Sequence, residues 1–420
     1  MSTITWRDVL ISGILAISVL AISISVFANS PSADLMAVYL AGQQYAAGNF
    51  DQIYPASADT FNLAVPASWR QLAVAHGLGD MQLFPYIYPP LWAALAGKLA
   101  GLAHPSTIFA ISHFVNPVLL FGTIFLSWRA FRPTSSLPLW MLIGVLAVFP
   151  TVYGFIALHQ SQPQILVSFL IVLAIERSRS NRPLSAGMAL ALAASIKLYP
   201  VLFVVIWIGS GERRAIKSFV VSGAILAAAS LMFGGTDLHL NFLSQIATIN
   251  DTVLLTQLSF NFDSLLAQFF LSDLYSPNAQ AAPHLTSATG VNLLKPQGFG
   301  LASKAFLILS LVFIYWRAAK STDSDIYTRL WPAMIILVSL FGPLSWAYHY
   351  IGAAVFFPAL IVTGPRKMSF WATAIVLIVL SIPGIKFLSL IEMDFYLVQA
   401  VGTLGTGLIA ALFLWPARKS

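Results

Sequence analysis

The sequence predicts an all-α integral membrane protein, a bundle of about twelve transmembrane helices. Three observations carry that expectation. Hydrophobic residues fill 58% of the 420 positions and charged residues 9%, against about 25% charged in a soluble domain, and mean hydropathy is +0.82. Apolar segments recur from one end of the chain to the other, several of them shorter than a full span. Sixteen of the 22 lysines and arginines gather between alternate segments, on one side.

The first apolar segment, 9–28, is about 20 residues long, enough to span. It exceeds a signal-peptide core and many spans follow, so it reads as an uncleaved first helix. The others are expected at 106–128, 137–155, 163–175, 184–196, 199–208, 218–233, 299–316, 330–344, 348–363, 370–388 and 395–415. Arg7, Arg129, Arg132, Arg177, Arg179, Arg182, Arg213, Arg214, Lys217, Arg317, Lys320, Arg329, Arg366, Lys367, Arg418 and Lys419 then share one side. The positive-inside rule makes that side cytoplasmic and puts both termini there. Asp34, Asp51, Asp59, Asp80, Asp237, Asp251, Asp263, Asp273, Glu392 and Asp394 fall outside. The net charge of +7 is therefore a cytoplasmic-face property, suited to anionic membrane lipid and not to nucleic acid. With no cysteine, disulfides and thiolate metal sites are excluded. No internal repeat or low-complexity tract divides the chain, which reads as one polytopic domain over 1–420. The cytoplasmic loops are short. The outer loops at about 29–105 and 234–298 are long, so chemistry or recognition belongs outside.

The stretch Ser32 to Gly48 organises the first outer loop. Ser32 suits a helix N-cap, Asp34 its first turn, where the helix dipole favours an anion, and Gly48 its end. Leu35, Tyr39, Gly42 and Ala46 form one packing face. Asp34 is then held rigidly at the mouth of the membrane domain. Further along the loop, Tyr88-Pro89-Pro90 opens an apolar stretch to Ala103. A span here would put Arg129 and Arg132 outside, so it reads as a helix on the outer surface.

Residues 184–208 form one apolar block flanked by Arg182 and Arg213, both of cytoplasmic type. It must therefore turn around, and Lys197-Leu198-Tyr199-Pro200 is the apex, since proline removes a donor and disfavours helix before it. That places Lys197 below the outer surface, where a cation is costly and marks function unless it snorkels to the headgroups.

Other polar clusters stand at outer junctions. His159-Gln160-Ser161-Gln162-Pro163-Gln164 carries neutral donors without charge, fit to line a polar site or to form an ordinary loop. Ser345-Trp346-Ala347-Tyr348-His349-Tyr350 contains more than an aromatic belt requires, because His349 can donate to a phosphate or move a proton. Asn261, in Ser259 to Leu266, suits a helix N-cap as well as a ligand contact. His113 and Asn116 read as a buried hydrogen-bonding pair between helices. Lys304 and Lys386 read as snorkelling cations. Gly402, Gly405 and Gly407 read as close helix packing. Asp323-Ser324-Asp325 has the spacing of an acidic metal-binding pair but sits in a short basic turn. It reads as solvated, so no metal or other cofactor is expected. Walker, His-Glu-x-x-His and Gly-x-Ser-x-Gly motifs are absent from the sequence.

Several of these stretches occur together in one order: Asp34 to Gly42, Tyr86-Ile-Tyr-Pro-Pro90, His159 to Gln164, Ala186-Gly187 running on to Lys197-Leu-Tyr-Pro200, Asn261 to Leu265, and Ser345-Trp346 to His349. In this the chain resembles glycosyltransferase family 87, of the GT-C superfamily of integral membrane glycosyltransferases. The family includes polyprenol-phosphate-mannose-dependent α-(1→2)-mannosyltransferases. The resemblance covers about 9–363. Two departures stand out. The family often has Gly-Gln-x-Asn where this chain has His159-Gln160-Ser161-Gln162. It often has two adjacent histidines after Ser-Trp, where this chain has Tyr348-His349, so its histidine role falls to one of those two.

The resemblance implies a GT-C-type bundle with surface helices in the first outer loop and a polyprenyl-phosphate sugar donor. It implies an inverting transfer on the outer face, with Asp34 as catalytic base. The expected reaction moves a hexose, mannose first, to a lipid or glycan acceptor hydroxyl. The leaving phosphate needs cations and donors and no strong acid. Lys197, His349, His159 and Gln160 are the candidates, and Tyr88, Tyr199, Tyr348 and Asn261 complete the expected substrate-binding set. The competing class is a lipid or solute transporter. Transporters favour paired repeats and polar residues at the midplane, whereas here the polar motifs gather toward one face.

Overall fold

A computed structural model describes residues 4–30, 32–55, 60, 61, 63–271, 291–362, 367–391 and 396–415. The expected outer acids Asp59, Asp273, Glu392 and Asp394 and the cations Arg366, Arg418 and Lys419 lie outside the described residues.

The described chain is overwhelmingly helical. Helix α1 (Trp6–Phe27) opens with a capping box, Thr5 and Asp8 each accepting from the other's backbone N–H. The first loop carries α2 (Ala33–Ala46), α3 (Ala67–Ala75) and α4 (Pro90–Ala100). Then come α5 (Pro105–Phe131), α6 (Leu137–Val148), α7 (Val152–His159), α8 (Gln164–Arg179), α9 (Pro183–Ile196), α10 (Val204–Ser210) and α11 (Arg213–Asn250). Strand β1 (Thr252–Leu255), α12 (Phe262–Phe270) and strand β2 (Val291–Leu294) follow. The chain continues through α13 (Gln297–Lys320), α14 (Asp323–Asp325), α15 (Trp331–Phe341), α16 (Ile351–Ala354), α17 (Phe357–Val362), α18 (Lys367–Val379), α19 (Ile382–Leu388) and α20 (Leu397–Leu414).

Among the described residues five helices are long and apolar enough to cross a membrane: α1, α5, α11, α13 and α20. They turn large aliphatic side chains outward, as Ile14, Ile17 and Ile22 of α1 and Ile308, Leu309 and Val312 of α13 do. An exposed apolar face of that extent suits lipid.

Other expected spans are shorter or broken. Segment 137–155 is interrupted between α6 and α7 at Phe149-Pro150-Thr151, and segment 370–388 between α18 and α19 at Leu380-Ser381. The two breaks satisfy each other. Val152 N–H donates to Leu380 O at 3.0 Å, and Ile382 N–H to Pro150 O at 2.8 Å. The Thr151 hydroxyl turns back onto Ala147 O at 2.8 Å. Hydropathy sees one apolar run in each case, but the freed backbone groups need partners, and the opposite break supplies two of them.

The expected interruption at Lys197 is present. Lys197 has extended backbone (φ −134°, ψ 137°), and a 3₁₀ turn, Tyr199–Phe203, leads into α10. The two arms take different partners. Gly187 lets α9 press against Ala215 and Phe219 of α11, and Gly209 lets α10 press against Tyr315 of α13.

In the second long loop, α11 runs on well past the expected end at 233. It kinks at Gly235, whose φ of +65° suits glycine. The antiparallel pair β1 and β2, Thr252 opposite Leu294 and Leu255 opposite Val291, was not anticipated.

Helix α2 ends as expected, with Gly48 at φ +76° just beyond it. Its contact with α4 is backbone-close: a Cβ on Gly42 would lie 2.6 Å from Ala96 C and 2.7 Å from Gly97 N. Gly42→Val should therefore wedge α2 from α4, costing ~1–3 kcal/mol as overpacking does, and lower the melting temperature of the purified protein. An unchanged melting temperature would remove this contact as the clamp on α2. Gly402 is similarly tight, since its Cβ would meet the Phe260 ring at 2.2 Å.

Candidate active site

The first turn of α2, the α7–α8 turn, the segment ahead of α4, the end of α9 and the 3₁₀ turn Ala347–Tyr350 bring the polar candidates together. Asp34 stands in the first turn of α2. Gln162 lies in the turn between α7 and α8 and is buried. Its amide Nε2 donates to Asp34 Oδ2 at 2.8 Å, and its Oε1 accepts from the Tyr88 hydroxyl at 2.7 Å. The segment Leu83–Pro89 ahead of α4 thus supplies Tyr88 as the far anchor of a short chain, Tyr88 to Gln162 to Asp34.

Asp34 is surrounded mostly by protein. Burial raises its pKa above the usual carboxylate range, while the charge of nearby Lys197 and the Gln162 hydrogen bond pull it back down. Desolvation is the largest of the three. No direct ion pair joins Asp34 and Lys197 among the described residues.

Lys197 sits at the α9 break inside an aromatic frame. Its Nζ lies 5.3 Å from the centre of the Tyr348 ring and 5.8 Å from that of Tyr88. These faces offset part of the cost of burying the cation. His349 follows on the 3₁₀ turn Ala347–Tyr350, with Nε2 3.3 Å from Lys197 Nζ. Its other ring nitrogen, Nδ1, accepts the Trp346 backbone N–H at 2.9 Å. With Nδ1 accepting, the neutral imidazole carries its proton on Nε2. A charged Lys197 and His349 Nε2–H are then two donors side by side, unable to satisfy one another. Such a pair calls for a shared acceptor.

Tyr199 packs edge-on against His349, ring centres 5.8 Å apart, and accepts from Gln164 Nε2 at 2.6 Å.

Two cavities meet at this cluster. One, of about 390 Å³, is lined by Asp34, Tyr88, His159, Gln160, Gln162 and Tyr348, among others. The second, of about 190 Å³, is lined by Lys197, Tyr199, Ser345, Tyr348 and His349 with a largely apolar remainder. Ile87, Trp346 and Tyr348 belong to both and form the partition. The second cavity shares Pro89, Leu198 and Phe242 with an apolar groove of about 520 Å³ between α9 and α11.

The expected residues thus divide. Asp34, Lys197, His349, Tyr348, His159, Gln160, Tyr88 and Tyr199 all face one or the other cavity. Asn261 does not line either: it is buried and caps α12, its Oδ1 accepting Ser264 N–H at 2.8 Å. Gln162, the direct partner of Asp34, is marked in the sequence only by its place in the amide-rich His159–Gln164 run. The Asp323-Ser324-Asp325 turn is engaged elsewhere, with Asp325 3.4 Å from Arg329.

The model of glycosyltransferase family 87 matches residues 86–325, more than half of the chain. Tyr88, the His159–Gln164 turn and Lys197 lie inside that match. Asp34 and His349 lie beyond its two ends and are brought to it by the fold. The chain is also similar to a polyprenol-phosphate-mannose-dependent alpha-(1-2)-phosphatidylinositol mannoside mannosyltransferase of Mycolicibacterium smegmatis. The two are 25% identical over 320 residues, 72% of this chain and 67% of that one. With several apolar helices and a match over most of its middle, this multi-pass membrane protein belongs to glycosyltransferase family 87.

Proposed function

We propose that the protein is an inverting glycosyltransferase that moves a hexose, mannose first, from a polyprenyl-phosphate sugar to a hydroxyl of a lipid or glycan acceptor. The observation that carries this reading is the pair of donors, Lys197 and His349 Nε2–H, side by side without a shared acceptor among the described residues. A phosphate oxygen suits them, and the adjoining apolar groove suits a polyprenyl chain.

The chemistry assigns one task to each cavity. Donor phosphate binds at Lys197 and His349, with Tyr199 behind. The acceptor enters the Asp34 side, among His159, Gln160 and Gln162. Asp34 takes the acceptor hydroxyl proton as the oxygen attacks the anomeric carbon from the face opposite the phosphate. The bond between that carbon and the phosphate oxygen breaks, its electron pair leaves on the phosphate, and polyprenyl phosphate departs. Lys197 and His349 stabilise the developing charge. The relative's printed name, which specifies a polyprenol-phosphate-mannose donor, supports the choice of donor class.

The site faces the outside of a bacterial cytoplasmic membrane, with both termini inside. The native chain has no cysteine, so single cysteines report cleanly. Asp51→Cys should label with an impermeant thiol reagent on intact cells and Arg182→Cys should not. The reverse pattern would invert the orientation. The function itself is tested by giving purified protein in nanodiscs labelled polyprenyl-phosphate hexoses, one sugar at a time, beside the matching nucleotide sugars. Transfer from a lipid donor alone is expected; transfer from the nucleotide sugar alone would reject the reading.

A further inference from the structure

Ser32 and Ser161 each stand close before a residue of the Asp34–Gln162 pair, and both are held in the left-handed region, at φ +46° and +48°. Neither is glycine, so each turn is strained and persists only if its surroundings hold it. Ser32 has the position of an N-cap for α2, yet its hydroxyl does not cap the helix. It is spent on a buried network instead. Ser32 Oγ lies 2.8 Å from Ser161 Oγ and 3.0 Å from His113 Nε2, and Ser161 Oγ lies 2.9 Å from Ser112 Oγ. Ser112 donates to Phe109 O at 2.8 Å.

Each hydroxyl has one proton, so the direction of the chain follows. Ser112 has used its proton on Phe109 and must accept from Ser161. Ser161 must then accept from Ser32, and Ser32 from His113 Nε2–H. The network leaves α5 at His113, passes through both strained turns and returns to α5 at Ser112 and Phe109. Ser32, Ser161 and His113 are all buried.

The geometry points to His113 as a positioning residue for the reaction. It touches neither cavity, but it drives the serine staple that sets the Asp34 and Gln162 turns against each other. This assignment rests on the reading of Asp34 as the base. Without the His113 donor the staple loses its head, the turns relax, and the Gln162–Asp34 bond lengthens. The groups that face Asp34 itself are Gln162, Tyr88, Tyr348 and Lys197, with His159 in the same cavity.

The test compares His113→Met with His113→Gln in nanodiscs, using labelled polyprenyl-phosphate mannose. Met fills the space without donating, whereas the Gln amide reaches where Nε2 sits and donates. His113→Met should lower kcat on the order of 10- to 100-fold, as a small misplacement of a catalytic group does, with KM for the donor nearly unchanged. The acid limb of its pH profile should move to higher pH, because the Gln162 bond that favours the carboxylate is weakened. His113→Gln should restore most of kcat and return the limb. If His113→Met does not fold, Ser161→Ala removes one link of the same staple and is read in the same way. An unmoved acid limb with unchanged kcat, or failure of Gln to rescue, would overturn the assignment. Asp34→Asn run in parallel separates the cases: if it is inactive while His113→Met is normal, only the positioning role fails, and if Asp34→Asn is itself active, the base assignment fails.

Discussion

Asp34→Asn should lower sugar transfer at least ~100-fold, the lower range of general-base contributions, while leaving the protein folded and able to bind donor. Asparagine keeps the shape at the Gln162 contact but cannot take a proton. Asp51 and Asp80 are the controls, because they share the first loop without lining the cavity. The expected split is loss of kcat with donor affinity kept. If Asn at 34 turns over near normally while Asp51→Asn or Asp80→Asn is inactive, the base is misassigned. A pH dependence follows with a defined sign. A base works deprotonated, and burial raises the Asp34 pKa. Activity should therefore fall on acidification above the usual carboxylate range, before surface acids titrate. An acid limb confined to that usual range would argue that the base lies in a solvated place. A transporter using the same cavities would show no such coupling of proton removal to product formation.

Lys197→Met should weaken both donor binding and turnover, because the phosphate charge is present before and after transfer. The loss in turnover should exceed that in binding, since the leaving oxygen gains charge in the transition state. Lys197→Arg should retain part of the function: guanidinium also holds phosphate, but its planar fork fits poorly in the space between Tyr88 and Tyr348. The measurement is affinity for a non-transferable polyprenyl-phosphate analogue in nanodiscs. Unchanged affinity in folded Lys197→Met would reduce the lysine to a snorkelling cation and leave His349 without its partner.

Much of this site was legible in the sequence because a polar residue in an apolar context stands out. Lys197 interrupts an apolar block, His349 exceeds what an aromatic belt needs, and Asp34 begins a helix at a membrane edge. The structure brings these three, with Tyr88 and Tyr348, around two adjoining cavities. What stayed hidden depends on distance along the chain. Gln162 meets Asp34 across 128 positions, and nothing local distinguishes it from Gln160 or Gln164. The serine staple was equally invisible, since a strained turn is a property of the folded backbone; His113 was legible only as a buried hydrogen-bonding residue. Asn261 had two readings, and the structure shows it capping α12. The breaks at Thr151 and Ser381 were missed because an apolar run looks continuous until its backbone must find a partner. The extension of α11 was missed because Gly234-Gly235 reads as a stop, whereas Gly235 only bends the helix.

In the proposed mechanism, phosphate and base occupy neighbouring cavities separated by Ile87, Trp346 and Tyr348. Electron cryomicroscopy of the protein bound to a non-transferable polyprenyl-phosphate-mannose analogue tests it most directly. The phosphate is expected within hydrogen-bond reach of Lys197 Nζ and His349 Nε2, the polyprenyl chain in the groove between α9 and α11, and the sugar turned toward Asp34. A phosphate seated on the Asp34 side, or a lipid chain leaving by another path with Lys197 uncontacted, would contradict it.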